Sequence, residues 1–237
     1  MNPPTTPKPI RATLKVLITA GPTQEPIDAV RFIGNRSSGR LGLALAQEAC
    51  DRGHSVKLLL GPVPATETDN VGAALTGIRT HGAVERFRTT EDLQGLLLRE
   101  GPWADVVVMS AAVADYRPRK QALDQKLRRS QSGLTIELES TPDLLAGLAM
   151  SRRPGQVLVG FALEPRERLE DSARDKLARK GVDMVVANPL ETMDSGEIEA
   201  HVFERDGSRR STPGRISKAS FAGWLFHEIE RVHGAAR

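Results

Sequence analysis

Two hydrophobic periods alternate along the chain. Short apolar runs recur at Leu14 with Val16 to Ile18, at Ser55 to Leu60, at Val106 to Met109, at Val157 to Phe161 and at Val182 to Ala187, and another strand is expected around Val84 to Arg88. Runs of this length predict strands, and those apolar at every position predict strands covered on both faces. Between them, apolar residues recur every three or four positions. Leu41, Leu45 and Ala49 predict a helix that Gly53 stops. Thr90 to Arg99 and Arg166 to Lys180 predict two more. Another opens at Thr141-Pro142-Asp143, with threonine at the cap and proline in the first helical position. This alternation predicts an α/β fold, a parallel sheet flanked by helices. The last fifty residues differ. Glu199 to Phe203 and Arg209 to Thr212, joined around Asp206-Gly207, predict a hairpin. A helix capped by Ser217 and carrying Phe221, Leu225 and Ile229 follows. The segment from about Arg117 to Gly133 is polar, charged and without period, which predicts a mobile flap or protruding arm.

The stretch from Ile18 to Gly42 carries the most chemistry. An apolar strand runs into a turn at Gly21 and Pro22, and a cluster of small polar residues, Asn35 to Gly39, opens the first helix. Backbone N–H groups, an amide and two arginines are thereby directed to one place, which suits an anion and above all a phosphate. Ser37 or Ser38 is expected to cap the helix. Gly39 and Gly42 lack a Cβ, so the helix start can lie close to the strand and to a ligand. Gly34 to Arg40 has the spacing of a P-loop, but Arg40 and Leu41 stand where lysine and Ser/Thr are required. Gly34, Gly39 and Gly42 do not fit the dinucleotide fingerprint either.

Composition narrows the reading. The 237 residues suffice for a sizeable core, which must rest on Leu, Val, Ile and Ala because aromatics make up only 4%. No apolar run reaches the ~18 residues of a membrane span. Residues 1–12, proline-rich and without an apolar signal stretch, read as a disordered lead-in, and a cytoplasmic protein is expected. A single cysteine, Cys50, excludes an internal disulfide and reads as a packed thiol. The five histidines show no metal-ligand spacing, so a metal is expected to arrive with a phosphate ligand. Net charge is +3, but acids and bases are interleaved, which favours small anionic substrates over nucleic acid. Tyr116 and Lys120 have the spacing of short-chain reductases, a motif that requires a helix; Pro118 between them argues against one. Asp115 lies just past an apolar strand, where α/β folds bind ligands, or is an ordinary loop acid. Lys126, Arg128 and Arg129 can grip phosphates or form a solvated charge cluster; Lys176 and Lys180, one turn apart, face the same two readings.

From about Lys15 to Val232 the chain resembles phosphopantothenate–cysteine ligase. The likeness rests on Ile18 to Asp28, Arg31 with Asn35-Arg36-Ser37-Ser38-Gly39, Ser110 to Pro118, Lys126 to Arg129, Thr141-Pro142-Asp143-Leu144, Gly160-Phe161-Ala162 and Val186-Ala187-Asn188, in that order. The resemblance implies a single Rossmann-like ligase domain over 13–237, with helices on both faces of the sheet and an arm at about 117–138. It implies that the carboxylate of 4′-phosphopantothenate attacks CTP, accompanied by Mg2+, releasing pyrophosphate and forming an acyl-cytidylate. The amine of L-cysteine then displaces CMP. By position it assigns Asn35, Lys126 and Arg31 to catalysis. The nucleotide site falls to Gly21, Ala111, Ala112, Asp115, Lys126, Pro142, Asp143, Leu144, Phe161, Lys176 and Lys180. Asn35, Ser37, Ser38 and Gly39 fall to phosphopantothenate, and metal ligands stay unassigned. It also implies a homodimer joined through the arm. The flavin-dependent decarboxylase half of many bacterial relatives is not matched in this sequence, so no FMN is expected, and whether a phosphopantothenoylcysteine decarboxylase partner is a separate chain stays open. Arg128 and Arg129 replace flap lysines, and Glu164-Pro165 replaces Glu-Thr. An ATP-using ligase of the same family and a non-catalytic nucleotide-binding module are the competing readings; a binding module needs neither Asn35 nor Lys126.

Overall fold

The structure is a computed structural model that describes residues 13–63, 76–78, 82–119, 125–128, 133–193 and 195–235. Strand β1 (Lys15–Ala20) leads into a small hairpin, β2 (Gln24–Pro26) and β3 (Phe32–Gly34), and then helix α1 (Arg40–Asp51). There follow β4 (Ser55–Leu60), β5 (Gly82–Arg86), α2 (Thr90–Glu100) and β6 (Val106–Met109). A second hairpin pairs β7 (Tyr116–Pro118) with β8 (Leu138–Ser140). Then come α3 (Leu144–Ser151), β9 (Val157–Glu164), α4 (Leu169–Lys180) and β10 (Met184–Pro189). The chain closes with β11 (Glu197–Ile198), β12 (His201–Glu204), β13 (Arg209–Ser211), β14 (Ile216–Ser217) and α5 (Lys218–Ala235).

Eight strands form one sheet in the order β13-β12-β10-β9-β6-β1-β4-β5. From β10 to β5 every pairing is parallel, and the β12–β13 hairpin adds antiparallel strands at one edge. Side-chain alternation divides the core. Val16 and Ile18 pack with Leu45, Ala49, Phe221 and Leu225 beneath α1 and α5. Leu17 packs with Leu93, Leu145 and Ala173 beneath α2, α3 and α4. The fold is therefore a Rossmann-like sandwich with helices on both faces. Arg52 fastens α1 to α5: its Nε donates to Glu48 (2.7 Å), Nη1 to Glu230 (3.0 Å) and Nη2 to the Gly223 carbonyl (2.8 Å). Among the described residues no helix is long and apolar enough to cross a membrane.

Several local expectations need correction. Neither Ser37 nor Ser38 caps α1: the N-cap is Gly39, at φ 73° and without a side-chain cap. The serines lie too early for their oxygens to reach the first helical amides, and Ser37 Oγ accepts from Gly39 N instead (3.4 Å). Asp143, not Thr141, caps α3, accepting from Ala146 N at 3.1 Å. The Thr141 hydroxyl is taken by the Ala114 carbonyl (2.6 Å), so Pro142 stands outside the helix. The helix expected from Arg166 begins as a 3-10 turn, Arg166–Arg168, before α4. β5 starts and ends two residues earlier than Val84 to Arg88. Ser217 does cap α5, accepting from Ser220 N (3.1 Å). The expected arm is paired at its base by β7 and β8, and its residues 120–124 and 129–132, with the lead-in 1–12, lie outside the described residues.

The approach of α1 to the sheet depends on Gly42. A Cβ there would sit 2.4 Å from Ala20 Cβ and 2.8 Å from Ser110 Oγ, both anchored to strand ends. Gly42→Ala is expected to destabilise the protein by about 1–3 kcal/mol through overpacking, after offsetting the helix-propensity gain. Urea unfolding measures it; an unchanged midpoint would show that α1 retreats freely.

Candidate functional site

Strand order reverses between β1 and β6. From β1 the chain proceeds to β4 and β5 on one side, and from β6 to β9 and β10 on the other. Ligands of open parallel sheets bind at such a switch point, beyond the carboxyl ends of the strands. Here the two loops leaving β1 and β6 continue the sheet. Pro22 and Ala112 form an isolated parallel bridge, Ala112 N donates to the Gly21 carbonyl (3.0 Å), and Thr23 N donates to the Ala112 carbonyl (3.2 Å). Buried threonines fasten the same loops: Ala111 N donates to Thr19 Oγ1 (3.0 Å) and Ala114 N to Thr23 Oγ1 (2.9 Å). The Ser110 hydroxyl donates to the Thr19 carbonyl at 2.5 Å.

A cleft of about 1070 Å³ opens above these loops. Asn35, Ser37, Ser38 and Gly39 form one wall; Ala111, Ala112 and Asp115 form another. Pro142, Asp143, Leu144, Phe161, Lys176 and Lys180 complete the lining of residues expected from the sequence. Gly21 is buried beneath the cleft; a Cβ on Gly39 would lie 3.5 Å from its Cα. Asn35 is exposed, and its amide nitrogen donates to the Val113 carbonyl (2.9 Å), tying the first wall to the second.

The basic residues divide into two groups. Lys176 Nζ donates to the Phe161 carbonyl, and Lys180 pairs with Asp143. Burial pushes the Lys176 ammonium below its usual pKa of 10.5, and the neighbouring Lys180 charge adds to the shift. Burial alone would raise the Asp143 carboxyl, but the Lys180 bond and the Ala146 amide outweigh it and hold it low. The second group does not line the cleft. Arg31 turns from it toward Asp28 and donates through Nη2 to the Leu127 carbonyl (2.9 Å). Lys126 is exposed on the adjoining flap segment and has no ion pair among the described residues. Arg128 is exposed, while Arg129 lies outside the described residues.

Sequence reasoning missed Thr19 and Thr23; for Thr19 the available signal was a threonine inside an otherwise apolar run, while Thr23, just past the Gly21-Pro22 turn, carried none. It also missed Arg179, Asn188, Thr192 and Lys218, which line the cleft from α4, the end of β10 and the start of α5. Asn188 donates to Thr192 Oγ1 (2.9 Å), and both follow from their place at a strand's carboxyl end. Among the described residues, no group of three His, Cys, Asp or Glu is arranged to hold a metal ion.

Fold and site together define a Rossmann-like α/β protein with a basic crevice at its switch point. Residues 12–232 match the model of the DNA/pantothenate metabolism flavoprotein C-terminal domain, and the chain belongs to that family. It is 36% identical over 218 residues to the coenzyme A biosynthesis bifunctional protein CoaBC of Bacillus subtilis, covering 90% of this chain and 50% of that protein. The protein of the same name from Vibrio cholerae is 39% identical over 223 residues, covering 91% and 52%. The chain thus spans about half the length of the curated relatives it matches. The solved C-terminal domain of a CoaBC protein superposes with a TM-score of 0.72 at 32% identity, covering 92% of this chain and 94% of that one.

Thr19→Val keeps the shape but removes the acceptor of Ala111 N. The partly buried amide left without this partner is expected to lower stability by about 1 kcal/mol. Chemical unfolding measures the loss; a variant as stable as wild type would show that the loop does not rely on this bond.

Proposed function

We propose that this chain joins 4′-phosphopantothenate to L-cysteine through an acyl-cytidylate, consuming CTP and releasing pyrophosphate and then CMP. The observation that carries the reading is the joining of one family's motifs into a single cleft, with Asn35 bonded across it to Val113 and two lysines facing Asp143 and Phe161. In the first step a carboxylate oxygen bonds to the α-phosphorus and the bond to pyrophosphate breaks. Lys176 and Lys180 supply positive charge to the phosphates, Asp115 suits a ribose hydroxyl, and the backbone around Phe161 suits the base edge. Magnesium is assigned to the nucleotide as its phosphate complex, because no group of three ligands among the described residues could hold an ion alone.

In the second step the cysteine amine bonds to the acyl carbon and CMP leaves. Asn35 is assigned to this step. With its nitrogen on the Val113 carbonyl, its amide oxygen is left to accept a hydrogen bond from the attacking amine and orient it. Ser37, Ser38 and Gly39 beside it are assigned to the phosphopantothenate. A homodimer is supported by the exposed apolar residues Val30 and Phe32 on the first hairpin and Tyr116 and Leu138 on the arm.

The test is pyrophosphate release with phosphopantothenate, cysteine and either CTP or ATP, on wild type and Asn35→Asp. Wild type is expected to require phosphopantothenate and to prefer CTP; equal turnover with ATP would replace the nucleotide, and no turnover with either would favour a binding module. In Asn35→Asp a carboxylate oxygen meets the Val113 carbonyl, acceptor against acceptor, and adds negative charge beside the acyl phosphate. The variant is expected to accumulate the mixed anhydride, visible by mass spectrometry, and to fail at amide formation. Normal amide formation would remove Asn35 from the second step.

A further inference from the structure

We infer that Asp28 is a positioning residue for Lys126, holding the flap backbone at the next residue, Leu127, against the β2–β3 hairpin. The inference rests on the ligase reading, in which Lys126 assists acyl-cytidylate formation by supplying positive charge to the phosphates, but the clamp itself is geometric. Asp28 has an entirely buried side chain, although Ala29, Val30, Arg31 and Phe32 that follow it are exposed, and its two oxygens have different work. Oδ1 accepts from Val30 N (2.9 Å) and Arg31 N (2.7 Å), which closes the turn. Oδ2 accepts from Arg31 Nε (2.9 Å), from Arg31 Nη2, and from Leu127 N (3.0 Å), a residue 99 positions further along the chain.

The flap is bound at three points. Besides the Leu127 amide on Asp28, the Leu127 carbonyl receives Arg31 Nη2 (2.9 Å), and the Gln125 carbonyl receives Ala29 N (3.2 Å). Gln125 and Leu127 are thus both fixed while Lys126 between them stays exposed. The Arg31 guanidinium beside it, with the amides of Arg31, Val30 and Leu127, holds the Asp28 carboxyl well below the usual carboxylate range. A carboxylate only accepts, and here every group facing it donates. A cation that must meet a developing charge works best when its backbone is already in place, since a displacement of about 1 Å can cost about 10²-fold in rate. Arg31 therefore acts on this hairpin as the second half of the clamp.

Asp28→Asn separates the two functions. The turn is also closed by Ile27 N and Asp28 N, both donating to the Arg31 carbonyl (2.8 and 3.3 Å), so the amide oxygen keeps the turn side. The amide nitrogen then faces Arg31 and the Leu127 N–H, donor against donors, so the Leu127 amide is released and Arg31 loses the carboxylate that orients it toward the Leu127 carbonyl. The experiment measures pyrophosphate release and amide hydrogen exchange in wild type, Asp28→Asn, Lys126→Gln and the double variant. The expected result is a fall of about 10²-fold in kcat for Asp28→Asn with the KM for CTP unchanged. The double variant should be no slower than Lys126→Gln alone, because a clamp acts only through the residue it holds. The Leu127 amide should exchange slowly in wild type and quickly in Asp28→Asn, with β1 and β6 amides unchanged. A wild-type rate in Asp28→Asn, multiplication of the two losses in the double variant, or fast exchange at Leu127 in wild type would overturn the inference. Should Asp28→Asn fail to fold, the wild-type exchange at Leu127 decides alone. Absence of pyrophosphate release from wild type would sink the ligase reading, while the exchange result would still decide the clamp.

Discussion

The loops that leave β1 and β6 are locked to each other, and the cleft exists because of that lock. Strand order in the sheet dictates that a crevice forms between them, but not its shape. The shape comes from bonds between the loops: Thr19 and Thr23 accept from Ala111 and Ala114, Ala112 N donates to the Gly21 carbonyl, and the Ala112 carbonyl accepts from Thr23 N. The same lock extends outward. The Ala114 carbonyl receives Thr141 ahead of α3, and the Val113 carbonyl receives Asn35 ahead of α1. One backbone segment, Ala111 to Ala114, thereby fixes both other walls of the site.

Electrostatics follow from this frame. Lys176 and Lys180 lie one turn apart at the end of α4, and both are held before any ligand arrives, one by a carbonyl and one by a carboxylate. Burial of Lys176 disfavours its charged form and, with the neighbouring Lys180 charge, pushes its pKa down. Arg31 and Lys126 are handled differently. The first is spent on Asp28 and Leu127, and the second is left exposed beside that contact. Charge is thus used in two ways, as ligand-facing groups in the cleft and as a fastening for the flap.

The core architecture was legible in the sequence because it depends on periodicity alone. Val106 to Met109 and Ser55 to Leu60 appear as strands at the residues expected, and α2 differs from Thr90 to Arg99 by a single residue. Helix starts were read less well, since capping is settled by long-range partners. Thr141 would suit α3 but is taken by a carbonyl 27 residues earlier in the chain, and Gly39 enters α1 in a left-handed conformation that the serines before it do not announce. Most of the cleft residues followed from motif order. The role of Arg31 did not, because its choice of Asp28 over the cleft depends on a flap almost a hundred residues away.

In the proposed reaction the cleft first makes an acyl-cytidylate, independently of the amine. Exchange of labelled pyrophosphate into CTP measures that step alone. The expected result is exchange that requires phosphopantothenate and proceeds without cysteine. Exchange that requires cysteine, or that occurs into ATP and not CTP, would contradict it.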